Sequence, residues 1–263
     1  MNENILVSFI IATYNGEKYL KKTVESALSQ TGVQVEIIII DDGSSDSSYI
    51  IAQKLQEHEE KKVIAIKNEE NIGFCRTVNK GIKISRGDYV IILDQDDLLA
   101  KNHCINSIGD FDDETVMVFN DYYLIDETGK VFDTSSHCLH RNIEESDLIS
   151  GNKIPAPGLM LKRSALLKIG GYPELEQFPN YGEYHTWIRM SEIGKIVFCP
   201  KNIAFYRRHE SNMTNSFGDK STAKKVAKYS IVCKEQFLKS NRVSFCEKCK
   251  TVYSILRDYI RCL

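Results

Sequence analysis

The sequence has no apolar run near the ~18 residues that a membrane-spanning helix needs, so none is expected. It also lacks an excess of positive charge: 34 Lys and Arg stand against 36 Asp and Glu, a net charge of -2. That excludes a globally basic nucleic-acid binder, although a local basic patch can hide inside the sum. The stretch from Met1 to Gly16 has no basic n-region and only a short apolar run. It reads as a first strand rather than a signal peptide. There is no internal repeat and no low-complexity linker. The eight cysteines do not form a metal framework. Cys246-Glu247-Lys248-Cys249 is a CxxC with no second CxxC or His pair at metal spacing, and reads as one face of a helix. Without an export signal, reduced thiols and a cytoplasmic location are the expectation.

What remains is a globular chain. With 42% apolar and 27% charged residues, wholesale disorder is excluded, and 263 residues suffice for one or two domains. The first half alternates. Leu6 to Ala12, Val35 to Ile40, Val63 to Ile66 and Tyr89 to Leu93 are short apolar runs of strand type. Between them, Glu17 to Gln30, Asp46 to Glu59 and Phe74 to Ile84 have helical periodicity. This βαβαβαβ order predicts a parallel sheet with ligands outside the carboxyl ends of its strands. After Asp97 the alternation loosens. Strands are expected at Val116 to Phe119, Gly158 to Leu161, Ile196 to Phe198 and Ala204 to Tyr206. A hairpin is expected over Tyr122 to Phe132 and a helix over Tyr184 to Ile193.

The last 44 residues differ again. Residues 220–263 hold eleven Lys or Arg against three acids, a net charge of +8 that leaves -10 for residues 1–219. This tail has no Pro and reads as two helices broken near Ser240-Asn241. Its cations are interleaved with Val226, Tyr229, Ile231, Val232, Phe237 and Leu238, which fits an interfacial amphipathic helix on an anionic membrane. Each such cation near an anionic leaflet contributes about 1 kcal/mol. The alternative is a helix that caps the domain or forms a homodimer contact.

Three strand ends deliver polar groups to one edge. They are Thr13-Tyr14-Asn15-Gly16, Asp41-Asp42-Gly43-Ser44 and Asp94-Gln95-Asp96-Asp97. If the last segment is extended, Asp94 and Asp96 share a face, and clustered carboxylates favour a hard divalent cation. The same acids also serve as turn and helix caps, Asp97 before Leu98-Leu99 in particular, so these residues alone leave both readings open.

Taken together and in order, these blocks resemble the family 2 glycosyltransferases. The resemblance is carried by Val7 to Gly16, Asp41 to Asp46, Asn71-Ile72-Gly73 through Asn79-Lys80-Gly81, and Asp94-Gln95-Asp96-Asp97. Later blocks support it: Gly170-Gly171-Tyr172-Pro173-Glu174, Trp187-Ile188-Arg189-Met190 and Tyr206-Arg207-Arg208-His209. It covers roughly residues 4–215. It implies an α/β GT-A fold, Rossmann-like with a mixed central sheet, over residues 1–215. Residues 1–97 would form the nucleotide-sugar half and 98–215 the acceptor half, with 216–263 a basic helical extension.

The resemblance implies an inverting, hexosyltransferase-type transfer from a UDP- or dTDP-sugar to a hydroxyl, assisted by Mn²⁺ or Mg²⁺. The acceptor would be a lipid-linked or growing glycan of a bacterial surface polysaccharide such as capsule or O-antigen. The enzyme would work in the cytoplasm, peripherally on the inner membrane face. By position, Thr13, Tyr14, Asn15, Asp41 or Asp42, and Asp94 would line the nucleotide pocket. Asp94 and Asp96 take the place of the DxD signature, with Asp96, Asp97 and His209 as candidate metal ligands. Arg207 and Arg208 are candidates to neutralise the leaving diphosphate, and Trp187 offers stacking surface for a sugar or belongs to the core. Glu183 falls where relatives carry the base Asp, Gly182 replaces a Glu, and His185 is a rival base. The family arginine of the Phe74–Ile84 helix is displaced to Arg76. Two other readings stay open: a nucleotide-sugar-binding scaffold with a decayed base, and a sugar nucleotidyltransferase. The latter wants a Gly-rich basic loop after the first strand, which Thr13 to Glu17 is not.

Overall fold

The computed structural model describes residues 5–60, 62–134, 141–149, 151–212, 220–239 and 244–262. Its first half alternates as the apolar runs predict: β1 (Leu6–Thr13), α1 (Leu20–Leu28), β2 (Gln34–Asp41), α2 (Ser48–His58), β3 (Val63–Lys67), α3 (Phe74–Ile84) and β4 (Tyr89–Ile92). The four strands pair in parallel in the order β3-β2-β1-β4. Successive residues of β1 face opposite sides, as a pleated strand requires. Phe9 and Ile11 pack with Leu20 and Val24 of α1, and Ile10 packs with Val78 and Ile82 of α3 on the other face. Both faces are covered, which is why these strands read as continuous rather than alternating apolar runs.

The second half holds β5 (Leu98–Leu99), α4 (His103–Ile108), β6 (Thr115–Ile125), β7 (Val131–Thr134), α5 (Glu145–Leu148), β8 (Met160–Lys162), α6 (Arg163–Lys168), α7 (Glu183–Ser191) and β9 (Lys195–Arg207). These extend the sheet to β4-β8-β6-β9-β5, with β7 hairpinned onto β6. β8 runs antiparallel to both β4 and β6, while β6 and β9 run parallel, so the central sheet is mixed. The hairpin forms where Glu127-Thr128-Gly129 signals it. The two strands expected at Ile196 and Ala204 are one strand, β9, whose pairing to β6 shifts register between Phe119 and Asp121. Leu98-Leu99 does not begin a helix. It pairs with Phe205 and Ala204 of β9 as β5.

The tail forms α8 (Lys220–Lys239) and α9 (Phe245–Cys262), and the break expected at Ser240-Asn241 lies outside the described residues. α8 does not stand apart from the body. Tyr229 and Cys233 belong to the same core as Trp187 and Ile188 of α7, and Tyr229 and Ile231 are buried. Much of the apolar face that suggested a membrane helix therefore covers the domain instead. Side chains of Phe237, Cys246 and Cys262, and all of Cys138, lie outside the described residues. Among the described residues, Cys75, Cys104, Cys199, Cys233 and Cys249 are thiols that form no disulfide with one another. No described helix is long and apolar enough to cross a membrane.

Candidate active site

An open cleft of 1720 Å³ runs along the carboxyl edge of β1, β2 and β4 and on between α7 and α8. Thr13, Tyr14, Asn15, Asp42, Asp94, Asp96, Glu183, Arg208 and His209 all line it. At the end lined by Thr13, Tyr14 and Asn15, Gln95 ties two strand ends together. Its Oε1 accepts from Thr13 Oγ1 at 2.7 Å and from the Tyr14 amide at 2.9 Å. Asn15 sits at φ 51°, and its Oδ1 accepts from the Ser45 amide at 3.0 Å, locking the first loop to the second.

Asp42 is buried and fully engaged. It accepts from Asn68 Nδ2 at 2.8 Å and from the amides of Ile72 and Gly73, each at 3.0 Å. Gly43 beside it has φ 76°, and a Cβ there would lie 2.8 Å from the Asn71 amide, so glycine is required by both backbone and space. Asp41, by contrast, points away from the cleft. Its Oδ1 accepts the Ser44 amide at 3.0 Å, so of the two acids only Asp42 reaches the candidate nucleotide pocket.

The Asp94–Asp97 segment corrects the sequence reading in its reason. It is a turn, closed by the Asp97 amide on the Asp94 carbonyl at 3.2 Å, not an extended run. Asp94 and Asp96 nonetheless both face the cleft. His209 Nε2 lies 2.7 Å from Asp96 Oδ2, and Asn212 Nδ2 is 3.4 Å from the same oxygen. Asn212 Oδ1 also accepts the His209 amide at 2.6 Å. Sequence reasoning missed Asn212 and Gln95. The His209-x-x-Asn212 spacing, which forms this turn, was the available signal.

Burial sets three candidate residues away from the cleft. Asp97 lies behind the cleft wall and accepts the Arg207 amide at 2.9 Å. Burial, then the charges of Asp96 and Asp94, push its carboxyl well above the usual range. It is a buried brace rather than a cleft-facing metal ligand. Arg207 is 0% exposed, donating from Nε to the Asp96 carbonyl at 2.8 Å and from Nη1 to the carbonyls of Asp126 at 3.0 Å and Glu127 at 3.2 Å. Its charge is spent on backbone, not on a diphosphate. Trp187 is 1% exposed in the core and offers no stacking face to the cleft.

Glu183 opens α7 and borders the cleft, accepting no hydrogen bond among the described residues. With Asp94 it also borders a small apolar recess of Ile92, Leu159, Leu161, Tyr172 and Trp187. That desolvation raises Glu183 to about 7, and it raises Asp94 to about 8 with help from the charges of Asp96 and Glu183. His185 is not at the cleft. Burial, then Arg189, lowers it to about 4, and its amide faces the Tyr229 hydroxyl at 3.3 Å. The missing family acid at Gly182 has a steric reason: a Cβ there would lie 2.5 Å from Tyr172 Cδ1 and 2.7 Å from Cys75 Sγ. Arg76 pairs with Glu174 at 3.7 Å instead of lining the cleft.

Four acids, Asp94, Asp96, Asp97 and Glu183, thus crowd one region, and like charges at such distances favour a bound cation or protons. No described cluster of three or more His, Cys, Asp or Glu forms a ready metal cage. The far end of the cleft is walled by Pro155, Ala156, Tyr181 and Tyr184 of the body and by Val226, Tyr229 and Ser230 of α8.

A parallel β3-β2-β1-β4 sheet extended by β8, β6, β9 and β5, with acids at the β2 and β4 ends facing one cleft, defines a GT-A-type α/β protein. Residues 8–170 match the family model for glycosyl transferase family 2, and the chain belongs to that family. An uncharacterized glycosyltransferase of Rickettsia typhi is 30% identical over 80% of this chain and 66% of its own length. The chain spans only 28% of a similarly named relative from Rickettsia bellii. A crystal structure of S. aureus TarS residues 1–349 in complex with UDP-GlcNAc superposes with a TM-score of 0.72. It is 17% identical, over 98% of this chain and 72% of that one. The mannosyltransferase PcManGT of Pyrobaculum calidifontis, in complex with GDP-Man and Mn²⁺, gives a TM-score of 0.66 at 14% identity over 97% and 73%. At these identities the two structures share the fold.

Proposed function

We propose that the protein is an inverting glycosyltransferase that moves a sugar from a UDP- or dTDP-sugar to a hydroxyl of a lipid-linked or growing surface glycan. The observation that carries it is the single cleft holding Asp42, Asp96, His209 and Glu183 together. Thr13, Tyr14, Asn15 and Asp42 form the end for the nucleotide. Asp42 keeps the Ile72–Gly73 amides in place, and Asn15 fixes the loop beside it.

The residues fit Mn²⁺ or Mg²⁺, which is often held by one or two protein ligands together with substrate phosphates. Asp96 and His209 would hold it, Asp94 standing close by. When bound, the ion supplies charge neutralisation on the leaving diphosphate. Arg208, on the cleft wall, adds a second positive charge there. Glu183 takes the proton of the acceptor hydroxyl, and burial sets its affinity for a proton near neutrality, where a general base is most effective. The hydroxyl oxygen then bonds to the anomeric carbon as the diphosphate oxygen leaves from the opposite face, which inverts the configuration.

The scaffold reading rested on Gly182 and His185. Close packing accounts for Gly182, and Glu183 keeps a carboxylate at the cleft, which supports an enzyme. A screen of nucleotide-sugars with Mn²⁺ and Mg²⁺, read by thermal shift and donor hydrolysis, tests the proposal. Stabilisation by UDP or dTDP with metal is expected, and no response to any nucleoside diphosphate would overturn it.

A further inference from the structure

α9 is built inside out. Toward α8 it presents Thr251, Ser254, Ile255 and Asp258, all buried, of which three are polar. Toward solvent it presents Val252, Tyr253, Leu256, Tyr259 and Ile260, with Tyr253 74% and Ile260 71% exposed. These five recur at helical spacing and form one continuous stripe. A helix packed only by the hydrophobic effect would turn this stripe inward.

A buried ion pair fixes the rotation. Lys234 of α8 donates to Asp258 of α9, and both side chains are almost fully buried, at 1% and 3% exposed. Ser230 Oγ donates to the same carboxylate at 2.9 Å. Turning the apolar stripe inward would expel Asp258 and strand Lys234 as an uncompensated buried charge. The chain therefore holds the stripe outward.

We infer that this outer face of α9 seats the protein on an anionic lipid bilayer. The same two helices carry exposed cations, Lys220, Lys224 and Lys228 on α8 and Lys250 and Arg257 on α9, while Lys225 lies over the Tyr181 ring of the body. The tail carries +8 and the remainder -10, so an anionic surface attracts one end of the molecule and repels the other, which orients it. An apolar stripe flanked by Lys and Arg is the pattern of a helix lying in the interface plane. A second copy fits less well. Two tails of +8 would face each other across a twofold axis. A stripe about 13 Å long and about 10 Å wide also falls short of the ~800 Å² per partner of a stable dimer. The face differs from the α8 residues first suggested for membrane contact, which include the buried Tyr229 and Ile231. Because α8 also walls the cleft, seating through α9 places the far end of the cleft near the interface.

The inference is independent of the donor chemistry and is tested separately from it. The full chain is floated with vesicles of 70% phosphatidylcholine and 30% phosphatidylglycerol, and with pure phosphatidylcholine. The wild type partitions onto the first and only weakly onto the second. Tyr253→Ser/Leu256→Ser/Ile260→Ser lowers that partition at least tenfold, while Ile50→Ser, at an exposed apolar position on α2, leaves it unchanged. Circular dichroism and UDP-Mn²⁺ thermal shift check the fold and donor site of each variant. Tyr253→Trp, which keeps the stripe intact, shows a blue-shifted emission with the anionic vesicles only. Equal partition of the triple variant and wild type, no partition of the wild type, or a wild-type dimer that the triple variant dissolves would each overturn the inference.

Discussion

His209, at the end of β9, and Asp96, in the turn after β4, are 113 residues apart in sequence and meet with Nε2 and Oδ2 2.7 Å apart. The contact exists because β9 crosses the sheet to pair with β5, which begins at Leu98, two residues after Asp96. The parallel half supplies the acid and the mixed half supplies the imidazole, so the candidate metal site lies on the seam between the two.

This seam predicts metal dependence of a defined kind. Treatment with EDTA should abolish sugar transfer, and Mn²⁺ should restore it. His209→Ala and Asp96→Asn should each weaken Mn²⁺ binding by roughly 10²-fold or more, since even the outer partners of a metal ligand are worth 10- to 100-fold. Calorimetry with Mn²⁺ and UDP measures this without turnover. Wild-type affinity in either variant would remove that residue from the metal site.

Glu183 predicts a pH profile and a stability cost together. With its carboxyl raised to about 7, kcat/KM should rise through an inflection near pH 7 and fall about tenfold per unit below it. Glu183→Gln should lose that turnover while keeping UDP affinity. For stability the sign is opposite. The folded state holds the proton more tightly than the unfolded state, so Glu183 contributes most below pH 4.5 and loses that contribution as pH rises through 7. Glu183→Gln should therefore be more stable than wild type at pH 8, by up to about 3 kcal/mol, with the gap closing toward pH 5. Denaturant titrations at the two pH values measure it.

Asp42 ties loop order to donor binding. Asp42→Ala leaves the Ile72 amide without its acceptor and removes one of two acceptors from the Gly73 amide and from Asn68 Nδ2. A loss of about 1–3 kcal/mol in stability is expected, with a weaker affinity for UDP. Asp41→Asn, whose parent carboxylate accepts only from the Ser44 loop among the described residues, should leave UDP affinity near wild type.

The parallel half of the fold was legible because its central strands β1 and β2 are buried on both faces and the helices between carry apolar faces; α3 falls on Phe74–Ile84 as its periodicity places it. The irregular pairing of β9 was not legible, since residues 199–203 interrupt the apolar pattern, and pairing to β6 stops at Phe198 and resumes only at Ile203. In the site, Asp42, Asp96, Glu183 and His209, the positions that the family resemblance implies, all line one cleft. The resemblance could not separate Asp41 from Asp42, or Arg207 from Arg208. Neighbours in sequence point opposite ways at a strand end, and only the packing decides which one faces the ligand. In α9 the apolar residues do not set the helix's rotation, because a buried ion pair overrides the one they alone would choose.

Gly182 predicts that installing the Glu implied by the family resemblance would do harm. Gly182→Glu introduces a Cβ 2.5 Å from Tyr172 and 2.7 Å from Cys75, both well packed in the core. Overpacking of this kind costs about 1–3 kcal/mol and would shift the start of α7, where Glu183 sits. Lower thermal stability and lower turnover are expected together. Gly182→Glu/Cys75→Ala removes one of the two clashes and should recover part of both.

Arg207 and Arg208 give the sharpest contrast between neighbours. Arg207→Lys keeps the charge, but a single ammonium cannot reproduce the planar set of bonds to Asp96, Asp126 and Glu127, so about 2 kcal/mol or more of stability should be lost. Arg208→Ala should leave the melting temperature nearly unchanged, because its side chain lies on the cleft wall, and should instead raise KM for the donor and lower kcat, as a cation facing the diphosphate requires. The two phenotypes must not interchange. An Arg207 variant that folds normally and fails only in donor turnover would return the buried guanidinium to the diphosphate role and remove its role as the tie between the Asp94–Asp97 turn and β9.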